Sequence, residues 1–234
     1  MPRQNARRGM RLGAQSLAGV EVLVGLPVDV LADVAATAVC VECAPGDEIV
    51  HHADQTQDVY LIVSGRVRVN VASAAGRQIT FQLLEAGKMF GELSALDCHR
   101  RMASVEAEQD TVLARLGQKD FLQLLSRHPG FALATMRRLV AMVRRLSDLV
   151  YESHAYNVRG RLCAELLRLS EGVDGAVVAV VDRDMASRVG TTREHVTKLI
   201  GELKREGLVE RRGKSVVVHD TAGLRQTMEG SALA

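Results

Sequence analysis

The chain has 234 residues, enough for two small domains that each bury a core. A hydrophobic fraction of 47% and a charged fraction of 25% are those of a globular protein. No apolar run approaches the roughly 18 residues of a membrane span, and a net charge of only +2 excludes a globally basic nucleic-acid binder, so any contact with DNA must come from a local patch.

The first twelve residues carry Arg3, Arg7, Arg8 and Arg11, no apolar signal-peptide core follows them, and the stretch reads as a basic, disordered tail. Helical spacing then places Leu17, Val20, Leu23, Val24 and Leu26, and after Pro27 Leu31, Val34 and Ala35, on two short helices over 15–38. The four cysteines, Cys40, Cys43, Cys98 and Cys163, are scattered, which argues against a disulfide framework and fits a reducing cytoplasm. Cys40 and Cys43, with His51 and His52 beyond, have the spacing of half a metal site. However, Val39–Cys43 reads as a strand, on which residues three apart face opposite sides, and there is no second such pair. No metal is expected.

From 39 to 116 short β-rich runs alternate with turns: Asp58–Val63, Ser64-Gly65, Arg66–Val71, Ala74-Ala75-Gly76, Ile79–Leu84, Ala86-Gly87, and finally Thr111–Leu116. Val67, Val69 and Val71 alternate with Arg66, Arg68 and Asn70, so one face is buried and one is wet. Strands at this spacing predict a compact antiparallel barrel or roll, closed by a short helix over Lys119–Ser126.

Inside that region Gly91-Glu92-Leu93 precedes Arg101, which lies nine residues after the carboxylate. The arrangement suits a cyclic nucleotide. Glu92 can accept a hydrogen bond from the ribose 2′-hydroxyl, and the planar fork of Arg101 can grip the ring phosphate with paired, charge-assisted bonds. Gly91 lets the backbone approach closely and offers its N–H.

A long helix follows Pro129-Gly130, from Phe131 to Ala155, about 37 Å at 1.5 Å per residue. Leu139, Leu146 and Ser153 are seven apart, as are Met142, Leu149 and Tyr156, which predicts the seam of a parallel homodimer. Asn157 is a candidate cap for a helix over Val158–Ser170 that buries Leu162, Leu166, Leu167 and Leu169.

Residues 182–206 fit a helix-turn-helix. Asp182 caps a first helix to Val189, Gly190 makes the turn, and Thr191 with Glu194 fits a capping box for the second helix. Val196, Leu199, Ile200 and Leu203 form its apolar stripe, leaving Arg193, Glu194, Thr197 and Lys198 on the opposite face. Arg bonds guanine O6 and N7, and Glu accepts from cytosine N4. Two strands, Leu208–Arg211 and Ser215–His219, joined by Arg212-Gly213-Lys214, then read as a wing whose Arg211, Arg212 and Lys214 either touch phosphates or form a solvated turn. No Ser/His/Asp grouping, Walker loop or paired-carboxylate site is present, so an enzyme is not expected.

In this order the motifs Gly91-Glu92-Leu93, Arg101-Met102-Ala103, the long helix, Thr192-Arg193-Glu194 with Lys198, and the wing resemble the bacterial cyclic-AMP receptor protein / fumarate–nitrate regulator family over about 20–225. The resemblance implies an α+β chain in four parts: a tail (1–19), a cyclic-nucleotide-binding antiparallel β-roll (20–130), a dimerisation helix (131–156) and a winged helix-turn-helix (157–234). It implies a homodimer on a palindromic, TGTGA-like site in double-stranded DNA, with RNA polymerase as a further partner and cyclic AMP or cyclic GMP as allosteric ligand. Met102 stands where the family's nucleotide binders carry Ser or Thr, so Ser104 or a backbone N–H must replace that hydroxyl. An ungapped count puts the family's base-reading pair at Leu146 and Ser147. The alternative within the family is a regulator with a vestigial pocket that answers a redox or haem signal through Cys98, His99 or Cys163, or no signal.

Overall fold

The computed structural model describes residues 12–72, 78–180 and 182–233. The arginines of the expected basic tail and the Ala74-Ala75-Gly76 turn lie outside the described residues. Contacts divide the chain into two units, one ending at Ala141 and the other starting at Met142.

The first unit contains α1 (Ala14–Leu17), α2 (Val28–Thr37), β1 (Val39–Cys43), β2 (Glu48–Val50), β3 (Val59–Ser64), β4 (Arg66–Ala72), β5 (Gln78–Glu85), β6 (Met89–Phe90), α3 (Glu92–Asp97), β7 (Ser104–Ala107), β8 (Thr111–Leu116), α4 (Gln118–Arg127) and the start of α5 (Pro129–Ala155). The strands form two antiparallel sheets, ordered β1-β8-β3-β6 and β2-β7-β4-β5. The continuous apolar run of β3 serves two cores at once. Val59 and Leu61 face a cluster with α2, α4 and α5, while Tyr60 and Ile62 face the interior between the sheets. A strand covered on both faces has no polar side, as its sequence shows. Tyr60 stacks on Phe90 with ring centroids 4.9 Å apart, and burial pushes its phenol up to about 12.

The expected first helix is a single turn. Val20 and Leu23 instead donate to Leu17 O and Val20 O at 3.0 and 2.7 Å, tight i→i+3 bonds, and the stretch ends at Gly25, whose φ is +75°. Leu17, Val20 and Leu23 are still buried, but Val24 is 62% exposed because the 3.6-residue period no longer applies to it.

Pro129 does not separate elements; it starts α5, at the position where its fixed φ and missing N–H suit a helix. The most exposed apolar residues of α5 are Leu133, Met136, Val140, Val143, Leu146, Val150 and Tyr151. Of the residues expected in the seam, Leu146 and Ser153 are exposed, and Leu139, Met142, Leu149 and Tyr156 are half-buried. Met136, Val143 and Val150 repeat every seven residues in a phase that the sequence reading passed over.

The second unit holds the remainder of α5, then α6 (Val158–Leu169), β9 (Val177–Ala179), α7 (Asp182–Val189), α8 (Arg193–Arg205), β10 (Val209–Arg212), β11 (Ser215–Val218) and α9 (Thr221–Glu229). The strands β10-β11-β9 form a small antiparallel sheet, in which β9 was not expected. Asn157 caps α6, as expected: its side chain accepts from Arg159 N and Gly160 N at 3.0 and 3.1 Å. A Cβ at Gly160 would come within 2.8 Å of Ser231 Cβ, so glycine lets the segment after α9 pass closely over α6. Glu165, 2% exposed, is ringed by arginines. Arg145 Nη2, Arg188 Nη1 and Arg168 Nε lie 2.8, 2.9 and 2.9 Å from its carboxylate, tying α5, α6 and α7 together within this unit.

Candidate ligand site and nucleic-acid interface

The ligand cassette begins where β6 turns into α3. Gly91 has φ +89°, and a Cβ there would lie 2.6 Å from Asp58 O and 2.8 Å from Arg101 Nη1. Both the conformation and the space require glycine. Arg101 is 4% exposed and folds inward. Its Nε donates to Thr56 Oγ1 at 3.1 Å, Nη1 to Gly91 O at 3.1 Å and Nη2 to Asp58 O at 2.7 Å. A guanidinium has five N–H donors, so two remain for an anion. Burial pulls its pKa down, against the opposing fields of Tyr60 and Asp58.

Glu92 is 2% exposed, and burial pushes its carboxyl above the ordinary range while Arg138 opposes the shift. Arg138, on α5, lies 3.3 Å from Glu92 Oε1 and 2.7 Å from Glu21 Oε1, and donates to Met89 O at 2.6 Å. The structure therefore brings Gly91, Glu92 and Arg101 together, with Leu93 half-buried beside them. It adds Thr56, Asp58 and Arg138, which sequence reasoning missed. No local spacing marks these residues, because each acts across a long chain separation.

Met102 is 69% exposed and brings no hydroxyl to the cassette. Ser104 Oγ accepts from His52 N at 2.9 Å and keeps its own proton. Thr56 Oγ1, accepting from Arg101, likewise keeps a proton to donate. Leu146 and Ser147 lie in the second unit. Leu146 is 50% exposed, and Ser147 Oγ donates to Val143 O at 3.0 Å.

Among the described residues no group of three or more His, Cys, Asp or Glu could hold a metal ion. Cys40 and Cys43 are both buried, and burial pushes the Cys43 thiol up to about 11. Cys163 is pushed to about 12 by burial, so it remains an inert thiol rather than a reactive thiolate. Cys98 is exposed, with His99 and Arg100 beside it on an open groove of about 600 Å3 that Gln55 and Gln57 also line.

In the second unit α7, Gly190 (φ +67°) and α8 make the helix-turn-helix. Ala186 is buried, and Thr191 N donates to Ala186 O at 2.9 Å. Val196, Leu199, Ile200 and Leu203 are all buried, as expected. The expected capping box does not form: Thr192, one residue on, is the cap, accepting from His195 N at 3.3 Å, while Thr191 Oγ1 lies 3.0 Å from His195 Nδ1. Arg193, Glu194 and Lys198 are exposed, and among the described residues their side chains have no partner. Thr197 is exposed too, but its hydroxyl is 2.8 Å from Asp182 Oδ2.

Asp182 is the first residue of α7 rather than its cap, and Arg211 Nη1 lies 2.6 Å from its Oδ1. That pairing takes Arg211 away from phosphate contact. In the wing, Arg212 donates to Glu210 Oε2 at 2.7 Å, whereas Lys214 is exposed and, among the described residues, unpaired.

Residues 40–128 match the model of the cyclic nucleotide-binding domain, and 160–227 match the Crp-like helix-turn-helix domain. The cyclic AMP receptor protein of Thermus thermophilus is 33% identical over 188 residues, covering 80% of this chain and 87% of that protein. The crystal structure of the Thermus thermophilus catabolite activator protein is similar at 29% identity and TM-score 0.54, covering 91% of this chain and all of that one. A CooA mutant from Carboxydothermus hydrogenoformans, 21% identical, shares the fold with TM-score 0.72 over 82% of this chain and 88% of that one. The chain thus belongs to the cyclic-AMP receptor protein / fumarate–nitrate regulator family, DNA-binding transcription regulators rather than enzymes.

Proposed function

We propose that the chain is a cyclic-nucleotide-responsive regulator that binds a palindromic DNA site as a homodimer. The observation behind this reading is the cassette itself: a left-handed Gly91, a buried Glu92 and a buried Arg101 held by three acceptors with two donors to spare. The residues fit a cyclic nucleotide. Arg101 and the Gly91 N–H would hold the ring phosphate, Thr56 would supply the hydroxyl that Met102 lacks, and Glu92 would accept from the ribose.

Glu92 is also the carboxylate that Arg138 of α5 holds. A ligand bonding to Glu92 therefore acts directly on a partner of the long helix, and a differential affinity of this kind is what a two-state switch requires. Cyclic AMP is favoured over cyclic GMP by the named ligand of the Thermus relative. The exposed heptad face of α5 is the candidate seam between copies. Arg193, Glu194, Thr197 and Lys198, with Thr192 at the helix start and Arg212 and Lys214 in the wing, would meet DNA, with half-sites roughly 34–36 Å apart. RNA polymerase is the expected protein partner on DNA.

The test is fluorescence anisotropy with a duplex carrying a two-fold TGTGA-like site. Tight binding only with cyclic AMP or cyclic GMP supports the proposal. Equal binding without either nucleotide favours the alternative suggested by Met102, a family member with a vestigial pocket.

A further inference from the structure

We infer that Asp182 fixes the hydrogen-bonding sense of Thr197, so that the Thr197 hydroxyl accepts from a base amino group and selects cytosine or adenine at one position of the site. The inference rests on reading α8 as the helix that meets DNA. A threonine hydroxyl carries one proton and two lone pairs, and in the major groove an unconstrained one meets acceptors and donors alike. Thr197 is constrained. Its Oγ1 lies 2.8 Å from Asp182 Oδ2 and 3.1 Å from Arg193 O, and both are acceptors. Whichever takes the proton, it is spent inside the protein, and only lone pairs face outward. Thymine O4 and guanine O6 are then refused; the amino groups of cytosine N4 and adenine N6 are accepted.

The bond to Arg193 O is the back-bond open to any helical threonine. Asp182 is the specific device, and it is itself held in place. Its side chain is 11% exposed, and Arg211 Nη1 of β10 lies 2.6 Å from its Oδ1. Arg211 Nε donates in turn to Gly213 O at the wing tip, at 3.1 Å. The wing, the first helix of the motif and the reading face are thereby joined through one carboxylate. The arginine also neutralises that carboxylate where phosphates would approach.

The test is selection from a randomised duplex library by the full chain with cyclic AMP, comparing wild type with Thr197→Val, Thr197→Ser and Asp182→Asn. Wild type should enrich cytosine or adenine at one position of each half-site. Thr197→Val should lose that preference alone, with affinity for the best site falling about 3- to 10-fold, and Thr197→Ser should keep it. Asp182→Asn, whose amide can donate to Oγ1 and take up one of its lone pairs while the proton stays on Arg193 O, should weaken the preference for cytosine or adenine. If that variant fails to fold in a urea melt, the Val and Ser variants still decide the matter. An enriched site with unchanged base preferences in Thr197→Val would overturn the inference alone. A wild-type library without enrichment would overturn the DNA-reading role of α8, and this inference with it.

Discussion

Glu92 of the cassette and Arg193 of the reading face each open a helix, yet the charged residues of the two sites are treated in opposite ways. Glu92 and Arg101 are 2% and 4% exposed, each already engaged by the protein's own groups. Arg193, Glu194 and Lys198 stand exposed and, among the described residues, without side-chain partners. Buried charges must be paired or bonded to be tolerated, so a ligand entering the cassette rearranges an existing network. Exposed charges wait for a partner and cost the free protein little. The first arrangement suits a switch, the second a reader.

The exposed face of α5 belongs with the second class, and charging it should have the largest effect. Val140→Glu with Val143→Glu should leave monomers by light scattering, while intact dimers would refute that face as the seam. Next comes Arg138→Ala, which strands the buried Glu92 without its partner. It should cost about 3–5 kcal/mol in a urea melt. Arg101→Ala, leaving Gly91 O and Asp58 O without their donor, should cost about 1–3 kcal/mol of stability and abolish the nucleotide response. Arg193→Ala should reverse that pattern. It should lose about 1–3 kcal/mol of DNA affinity at one base position and shift stability by less than about 0.5 kcal/mol.

The smallest effect concerns pH. Burial raises the Glu92 carboxyl above its ordinary 4.5, so the folded state holds this proton more tightly than the unfolded chain does. Its contribution is full below pH 4.5 and is lost as pH rises through the folded value. Wild-type stability should therefore fall relative to Glu92→Gln over that range in paired urea melts; parallel curves would contradict a carboxyl whose burial outweighs its pairing with Arg138.

Local chemistry was legible in the sequence wherever one residue decides it. Asn157 can cap and does, Gly190 bends the chain, and the apolar run of β3 signals cover on both faces. Gly91, Glu92 and Arg101 were legible as a cassette because their residue types are rare in that combination. What was hidden depends on distant partners. Arg138 looks like any helical arginine until the fold sets it against Glu21 and Glu92, and Asp182 passes for a cap until Thr197 and Arg211 close around it. The exposed face of α5 was hidden for another reason. Its apolar residues cover so wide an arc that two heptad registers fit the sequence, and the exposed run of Met136, Val143 and Val150 emerges only in the folded chain.

The most direct test of the central claim is calorimetric titration of cyclic AMP, then cyclic GMP, into the full chain and its Arg101→Ala variant. Micromolar binding of at least one nucleotide to the wild type, lost in the variant, is the expected result. No heat and no thermal stabilisation with either nucleotide would contradict the claim that this buried cassette is a nucleotide switch.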